Sequence, residues 1–106
     1  MAKMAGVDVM QVVSEPRRRE ILHLVWDQER SAGDIARQFD VTFGAVSQHL
    51  GILREAGFVT ARREGNRRLY RADKDRLGPL AKALEAMWAD ALDRLADAVE
   101  ADVQRG

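Results

Sequence analysis

Cysteine is absent from this 106-residue chain, which excludes disulfides, thiolate metal sites, iron–sulfur clusters and cysteine nucleophiles together. Proline occurs twice, at Pro16 and Pro79, and each suits the first turn of a helix, where its missing N–H costs nothing. No apolar run approaches the ~20 residues of a membrane span. The opening sequence MAKMAGVDVMQVVSEPRRR has neither the long apolar stretch nor the cleavage site of a secretory signal, so a cytoplasmic location is expected. Also missing are a Gly-rich phosphate loop, HExxH, GxSxG and a convincing Ser/His/Asp set, so no enzyme is expected. What is present, 46% hydrophobic and 32% charged residues, is the composition of one ordered domain spanning residues 1–106. A chain of this size buries roughly 60–70% of its unfolded surface, and oligomerisation would help it.

The formal net charge is zero, but the charge is unevenly placed. Residues 1–72 hold 12 Lys/Arg against 9 Asp/Glu, leaving +3; residues 73–106 hold 5 against 8, leaving −3. Within Thr42–Arg71, six arginines face only Glu55 and Glu64, leaving +4. A local basic region on a neutral chain is competent to meet a polyanion.

Val7–Val13 is a short apolar segment read as a helix. Ser14 is the expected N-cap of Pro16–Asp27, whose apolar face is Ile21, Leu22, Leu24 and Val25. Ser31-Ala-Gly-Asp34 resembles a capping box with Asp replacing Glu/Gln, and leads into Asp34–Phe39 with Ile35, Ala36 and Phe39 inward. After a short turn, Thr42 caps a helix running to about Ala56, with Val46, Leu50 and Leu53 on its core face and Gly57 as a left-handed stop. The period then changes to two over Phe58–Arg63 and Arg67–Ala72, joined by Glu64-Gly65-Asn66, which reads as a β-hairpin. Asp73 or Asp75 caps a last helix, from about Arg76 to Val103 and about 40 Å long. The expected fold is mainly α with a small β-hairpin, in the order α-α-α-α-β-β-α. That is a winged helix-turn-helix, with the helix-turn-helix at about 31–56 and the wing at about 58–72.

The sequence Ser-Glu-Pro-Arg-Arg-Arg-Glu-Ile-Leu at 14–22, then Ile35-Ala36, Val46-Ser47-Gln48-His49-Leu50, Leu53-Arg54-Glu55-Ala56-Gly57-Phe58-Val59 and Arg63-Glu64-Gly65-Asn66-Arg67-Arg68-Leu69-Tyr70 resembles the ArsR/SmtB family of bacterial winged helix-turn-helix repressors over roughly residues 8–95. The resemblance implies a homodimer paired through its first and last helices, repressing transcription on double-stranded DNA at an inverted-repeat operator. Metal-sensing members use Cys near the helix-turn-helix, or His with Asp/Glu on the last helix. This chain has no Cys, and its two histidines, His23 and His49, lie elsewhere. It is therefore similar to members without a metal site, some of which repress their own operons, and no metal or other cofactor is expected. The sequence identifies no inducer.

With Val46, Leu50 and Leu53 inward, Phe43, Gly44, Ser47 and Gln48 face out near the N-terminal end of the candidate recognition helix. Gln48 suits adenine N6/N7, Ser47 a base or phosphate, and Phe43 a thymine methyl. Thr42 and the helix N-terminus suit a phosphate. Gly44 and Gly51 cost about 1 kcal/mol each relative to Ala, and Gly44 permits close approach to DNA. The other reading is an ordinary polar helix face. His49 is either a phosphate donor or a half-buried residue beside the core, and His23 is read as structural. Arg54 joins the DNA set, together with Arg62, Arg63, Arg67 and Arg68 around the hairpin tip, which read as a phosphate or minor-groove clamp or as solubilising edge charge. Arg17, Arg18 and Arg19 oppose the helix dipole at a helix start, so a contact with DNA or with Glu15 or Glu20 is expected.

Val9, Val12 and Val13 on the first helix, and Leu84, Trp88, Leu92 and Leu95 on the last, are the expected dimer contacts. Asp90, Asp93, Asp97 and Glu100 share one face of the last helix, which reads as its solvated side. Two alternatives remain. One is a winged-helix protein-interaction module without DNA binding; the other is a cation-gated repressor using that acidic face.

Overall fold

The computed structural model describes residues 3–4 and 7–105, with side-chain surroundings for residues 8–100 other than 93. The chain divides into two compact units, Met1–Arg76 and Leu77–Gly106. In the first, β1 (Lys3–Met4) pairs antiparallel with β2 (Val7–Asp8). The expected helix therefore begins at Val9 and not at Val7. Asp8 accepts the Met10 N–H at 3.0 Å and caps α1 (Val9–Ser14).

The cap of α2 (Pro16–Leu24) is Glu15 rather than Ser14. Ser14 is still helical, as the last residue of α1, and its hydroxyl donates back to the Gln11 carbonyl at 2.8 Å. An N-cap needs extended backbone. Glu15 has it, and its carboxylate accepts the Arg17 and Arg18 N–H groups, both at 3.2 Å. Pro16 occupies the first helical position, where no N–H is wanted. The three successive arginines find their purpose here. Arg18 Nε donates to the Val12 carbonyl at 2.8 Å and Arg19 to that of Val13 at 2.7 Å, satisfying the open carboxyl end of α1. Arg17 pairs with Glu20 and lies over the Phe39 ring, 4.7 Å from its centroid. The helix stops at Leu24, short of the expected Asp27, and the Arg30 guanidinium holds the Leu24 carbonyl at 3.2 Å.

A two-residue strand, β3 (Arg30–Ser31), precedes α3 (Ala32–Gln38). After a turn come α4 (Phe43–Glu55), β4 (Val59–Glu64) and β5 (Arg67–Ala72). The expected hairpin is thus part of a three-stranded antiparallel sheet in the order β3-β5-β4, with Arg30 opposite Tyr70 and Ser31 opposite Leu69. Two residues are too few to show a period of two. Glu64 pairs directly with Arg67, so the turn is the two residues Gly65-Asn66, with Gly65 at φ +61°. Asp73 accepts the Arg76 N–H and caps α5 (Lys74–Leu77).

The core of this unit is mainly aliphatic, with the rings of Phe58 and Trp26. Phe58, Ile21, Leu22, Ile35, Leu50, Leu53, Val12, Val25 and Val46 are fully buried, and no buried polar or charged residue occurs among the described residues. Leu24, Ala36 and Phe39, expected inward, are half-buried. In the second unit Gly78, at φ +58°, interrupts the expected continuous helix before α6 (Pro79–Arg105). Leu77, Ala81 and Leu84 are buried; Met87, Leu92, Leu95 and Val99 are exposed.

The end of α4 is closed by paired backbone bonds: Phe58 N–H to the Leu53 carbonyl at 2.9 Å and Gly57 N–H to that of Arg54 at 3.0 Å. Both depend on Gly57 at φ +82°, a conformation that costs other residues roughly 1–2 kcal/mol. Gly57→Ala is expected to lower stability by about that amount, read as a fall in the urea midpoint at unchanged slope.

Candidate nucleic-acid interface

Side-chain caps open both α3 and α4. Ser31 accepts the Asp34 N–H at 3.1 Å, and Thr42 accepts the Ala45 N–H at 3.1 Å. The buried stripe of Val46, Leu50 and Leu53 then fixes which side of α4 faces out. Thr42, Phe43, Gly44, Gln48 and Arg54 are exposed, as expected; Ser47 is half-buried. Gly44, Gln48 and Gly51 form an exposed line at spacings of four and three. A side chain at Gly51 would meet nothing within 4 Å, and one at Gly44 only the Thr42 hydroxyl at 4.0 Å. Packing within the chain therefore does not account for either glycine.

His49 departs from the set of expected DNA contacts. It is half-buried, its Nε2 lies 3.7 Å from the Glu15 carboxylate, and its Nδ1 is buried without a hydrogen-bond partner. Its helical position turns it towards the start of α2 and away from the exposed Gly44–Gln48–Gly51 line. Burial pushes the Glu15 carboxyl up, but the Arg17 and Arg18 N–H groups and the charges of His49 and Arg18 outweigh it, leaving Glu15 below its ordinary value.

The wing separates the four arginines around its tip into two pairs. Successive strand residues point to opposite faces, and residues directly opposite share one. Arg62 and Arg67 therefore lie on the Leu69 face, and Arg63 and Arg68 on the Ala61–Tyr70 face. The first pair is committed. Arg62 makes a forked contact with Glu29 at 2.7 and 2.8 Å and another with Glu64 at 3.0 Å, which raises its already high pKa further. Arg67 holds Asp34 at 2.8 Å and the Ser31 hydroxyl at 3.4 Å. Arg63 and Arg68 are exposed and have no ion pair among the described residues, although they stand directly opposite each other. Like charges so placed are destabilising by roughly 0.2–1 kcal/mol.

One open groove brings Phe43 and Ser47 of α4 together with Ser31 and the start of α3 and with Arg63, Asn66, Arg67, Arg68 and Tyr70 of the wing. Helix face and wing thus form one surface. Sequence reasoning missed Glu29 and Asp34 as anchors of the wing. Each lies 33 residues from its arginine, a separation that no local pattern reports.

The expected dimer contacts also divide. Val9, Val12, Val13 and Leu84 are already buried within the single chain; Met10 is the exposed apolar residue of α1. Trp88 is half-buried, while Leu92 and Leu95 are 63% and 60% exposed. With Val99 they run at spacings of four, three and four from Trp88, the rhythm of a helix-pairing seam. On the acidic face Arg94 pairs with Asp90, and the Asp93 side chain is outside the described residues. Among the described residues no group of three or more His, Asp or Glu could hold a metal ion, and no helix is long and apolar enough to cross a membrane.

The family model described as bacterial regulatory protein, arsR family, matches residues 15–61. A helix-turn-helix-type transcriptional regulator of Mycobacterium tuberculosis is 33% identical over 92 residues, covering 87% of this chain and 86% of that protein. A biofilm growth-associated repressor of Agrobacterium fabrum is 32% identical, covering 76% of this chain and 68% of the repressor. Among solved structures, the homodimeric winged helix-turn-helix DNA-binding domain of a possible ArsR-family regulator from Mycobacterium bovis is similar at a TM-score of 0.61 and 31% identity. It covers 78% of this chain and 73% of that one.

The wing anchors are titratable. The hydrogen bond from Arg62 holds the Glu29 carboxyl below its ordinary value, and that from Ser31, with the Arg37 and Arg67 charges, does the same for Asp34. A carboxyl lowered in the folded state stabilises fully above its unfolded pKa, and loses that contribution as pH falls through the lowered value. Glu29→Gln is therefore expected to lower the denaturation midpoint near neutrality, with the difference from wild type vanishing in acid. Urea titrations over a pH series check it.

Proposed function

The chain belongs to the ArsR family of bacterial regulatory proteins, and from that premise we propose a homodimeric, sequence-specific repressor that occludes a promoter, reading double-stranded DNA with α4 and clamping it with the wing. The observation that carries this reading is the unneutralised pair Arg63 and Arg68, bordering the same groove as Phe43 and Ser47. Two opposed guanidinium groups repel in the isolated chain, and a phosphate backbone removes that cost. Gln48 is placed to reach a base edge from the outward line of α4, and Ser47 lies one turn from Phe43. Arg62 holds the wing in position rather than meeting DNA, and Arg67, which also lines the groove, is held by Asp34. The site of action is the cytoplasm.

The second copy is proposed to cover the seam Trp88–Leu92–Leu95–Val99 on α6. A two-fold dimer reads an inverted repeat, its half-sites one helical turn or a multiple apart. The metal chemistry of the family's sensors does not fit this chain. It has no Cys, and His23 and His49 belong to α2 and α4, not to the last helix. Zinc sites need several such ligands converging. Operator affinity is expected to be the same with and without a chelator.

Footprinting on the DNA upstream of its own gene, followed by salt titrations on that site and on scrambled DNA, tests the reading. Arg68→Ala should weaken both DNAs alike and make the salt slope shallower by about 2 for a symmetric dimer, since each phosphate contact contributes about 0.9. Arg62→Ala should change the slope less. Gln48→Ala should instead erode discrimination, by roughly 1–3 kcal/mol for a lost bidentate base contact. Equal binding by wild type to operator and scrambled DNA would overturn the proposal.

Leu92→Glu, which puts a charge into the seam at a position exposed in the single chain, is expected to give a folded monomer. Sedimentation equilibrium reads this directly, and operator affinity should fall with it. A Leu92→Glu dimer as tight as wild type would place the interface elsewhere.

A further inference from the structure

We propose that Phe43 reads the C5-methyl group of a thymine in each half-site, making one apolar contact part of operator choice; the inference rests on the DNA-binding reading above. The three phenylalanines of the chain have different surroundings. Phe58 is fully buried, Phe39 is half-buried beneath the Arg17 guanidinium, and Phe43, the first residue of α4, is 60% exposed. Its ring neither fills the core nor closes a cap. The cap of α4 is the Thr42 hydroxyl.

The surroundings of Phe43 indicate what it meets. Ser31, Ser47, Arg63, Asn66, Arg67 and Arg68 line its groove together with Tyr70, and Thr42 and Gly44 flank it on the helix. The ring thus sits in a surface dominated by polar and cationic side chains, with Tyr70 as the other aromatic residue of the groove, rather than in the broad apolar patch that a protein partner would need. In a major groove, every base edge presents hydrogen-bond donors and acceptors, and thymine alone adds a methyl group. A benzyl ring gains nothing from the former and sheds water against the latter.

The test replaces each thymine of the footprinted half-site by deoxyuridine, which removes the methyl group and keeps the base pairing. Full-length wild type, Phe43→Leu and Phe43→Ala are compared by equilibrium binding. The expected result is one position per half-site where deoxyuridine weakens wild type about fourfold, the worth of one buried methyl, and both half-sites together about fifteenfold. Phe43→Ala should bind the thymine operator more weakly and be indifferent to deoxyuridine at that position, while Phe43→Leu should keep most of the discrimination. Unchanged circular dichroism of both variants is expected, because the side chain is exposed. If wild type binds all deoxyuridine operators as tightly as the parent, or Phe43→Ala retains the full methyl preference, the inference fails while DNA binding stands. If wild type protects no DNA, both fail.

Discussion

The burial of Val46, Leu50 and Leu53 is the constraint on which the rest of the interface depends. These three side chains, between 0% and 1% exposed, fix the rotation of α4 about its own axis. A helix has one angular degree of freedom against its core, and once that is set every other residue has its direction. Phe43, Gly44 and Gln48 go outward, and His49 goes sideways towards Glu15. The caps at the two ends set where the helix starts and stops. Thr42 begins it beside the turn from α3, and Gly57 ends it so that Phe58 enters the core and Val59 starts the wing. Core packing and surface presentation are thus consequences of the same three contacts.

The wing shows a different logic, in which charge and not burial assigns roles. A β-ribbon exposed on both faces has little packing to hold its tip. Here β3 supplies a third strand at its base, and Glu29 and Asp34 hold Arg62 and Arg67. Exposed ion pairs are individually weak, but a forked arginine–carboxylate contact adds geometric definition that a point charge would not. The tip thereby gains a preferred orientation, which a clamp needs and a solubilising fringe does not. The two arginines excluded from this arrangement are the two that point the other way, because strand alternation permits only one face to reach the anchors.

Much of this was legible in the sequence. The α3–turn–α4 unit, the Thr42 and Ser31 caps, the Gly57 stop and the hairpin all follow from local rules of period and turn chemistry, and the structure keeps them. What was not legible depended on long-range partners. The strand β3 exists only because β5 is there to pair with it. Glu15 displaced Ser14 as a cap because α1 runs one residue further than a sequence pattern can show. The burial of Val9, Val12 and Val13 within the chain is not legible either, because an apolar residue on a short helix has the same signature whether it meets its own chain or another. His49 was open in sequence for a similar reason: a single imidazole beside an apolar stripe does not reveal which carboxylate will approach it.

The remaining features share a property that explains why local rules failed to account for them. Gly51 sits mid-helix with free space around it, Phe43 keeps an aromatic ring in water, Arg63 faces Arg68, and Leu92 and Leu95 leave an apolar seam uncovered. Each is unfavourable for the isolated chain: the first by lost helix propensity, the second and fourth by unburied apolar surface, the third by repulsion. Folded sequences are otherwise consistent across such levels, so local violations concentrate where something outside the chain completes the structure. The violations here are of two chemical kinds. Those on α4 and the wing call for a polyanion with an apolar feature in its groove; those on α6 call for another apolar helix. Neither kind of partner would relieve the other's cost, so the proposed DNA and the proposed second copy answer two separate sets of violations.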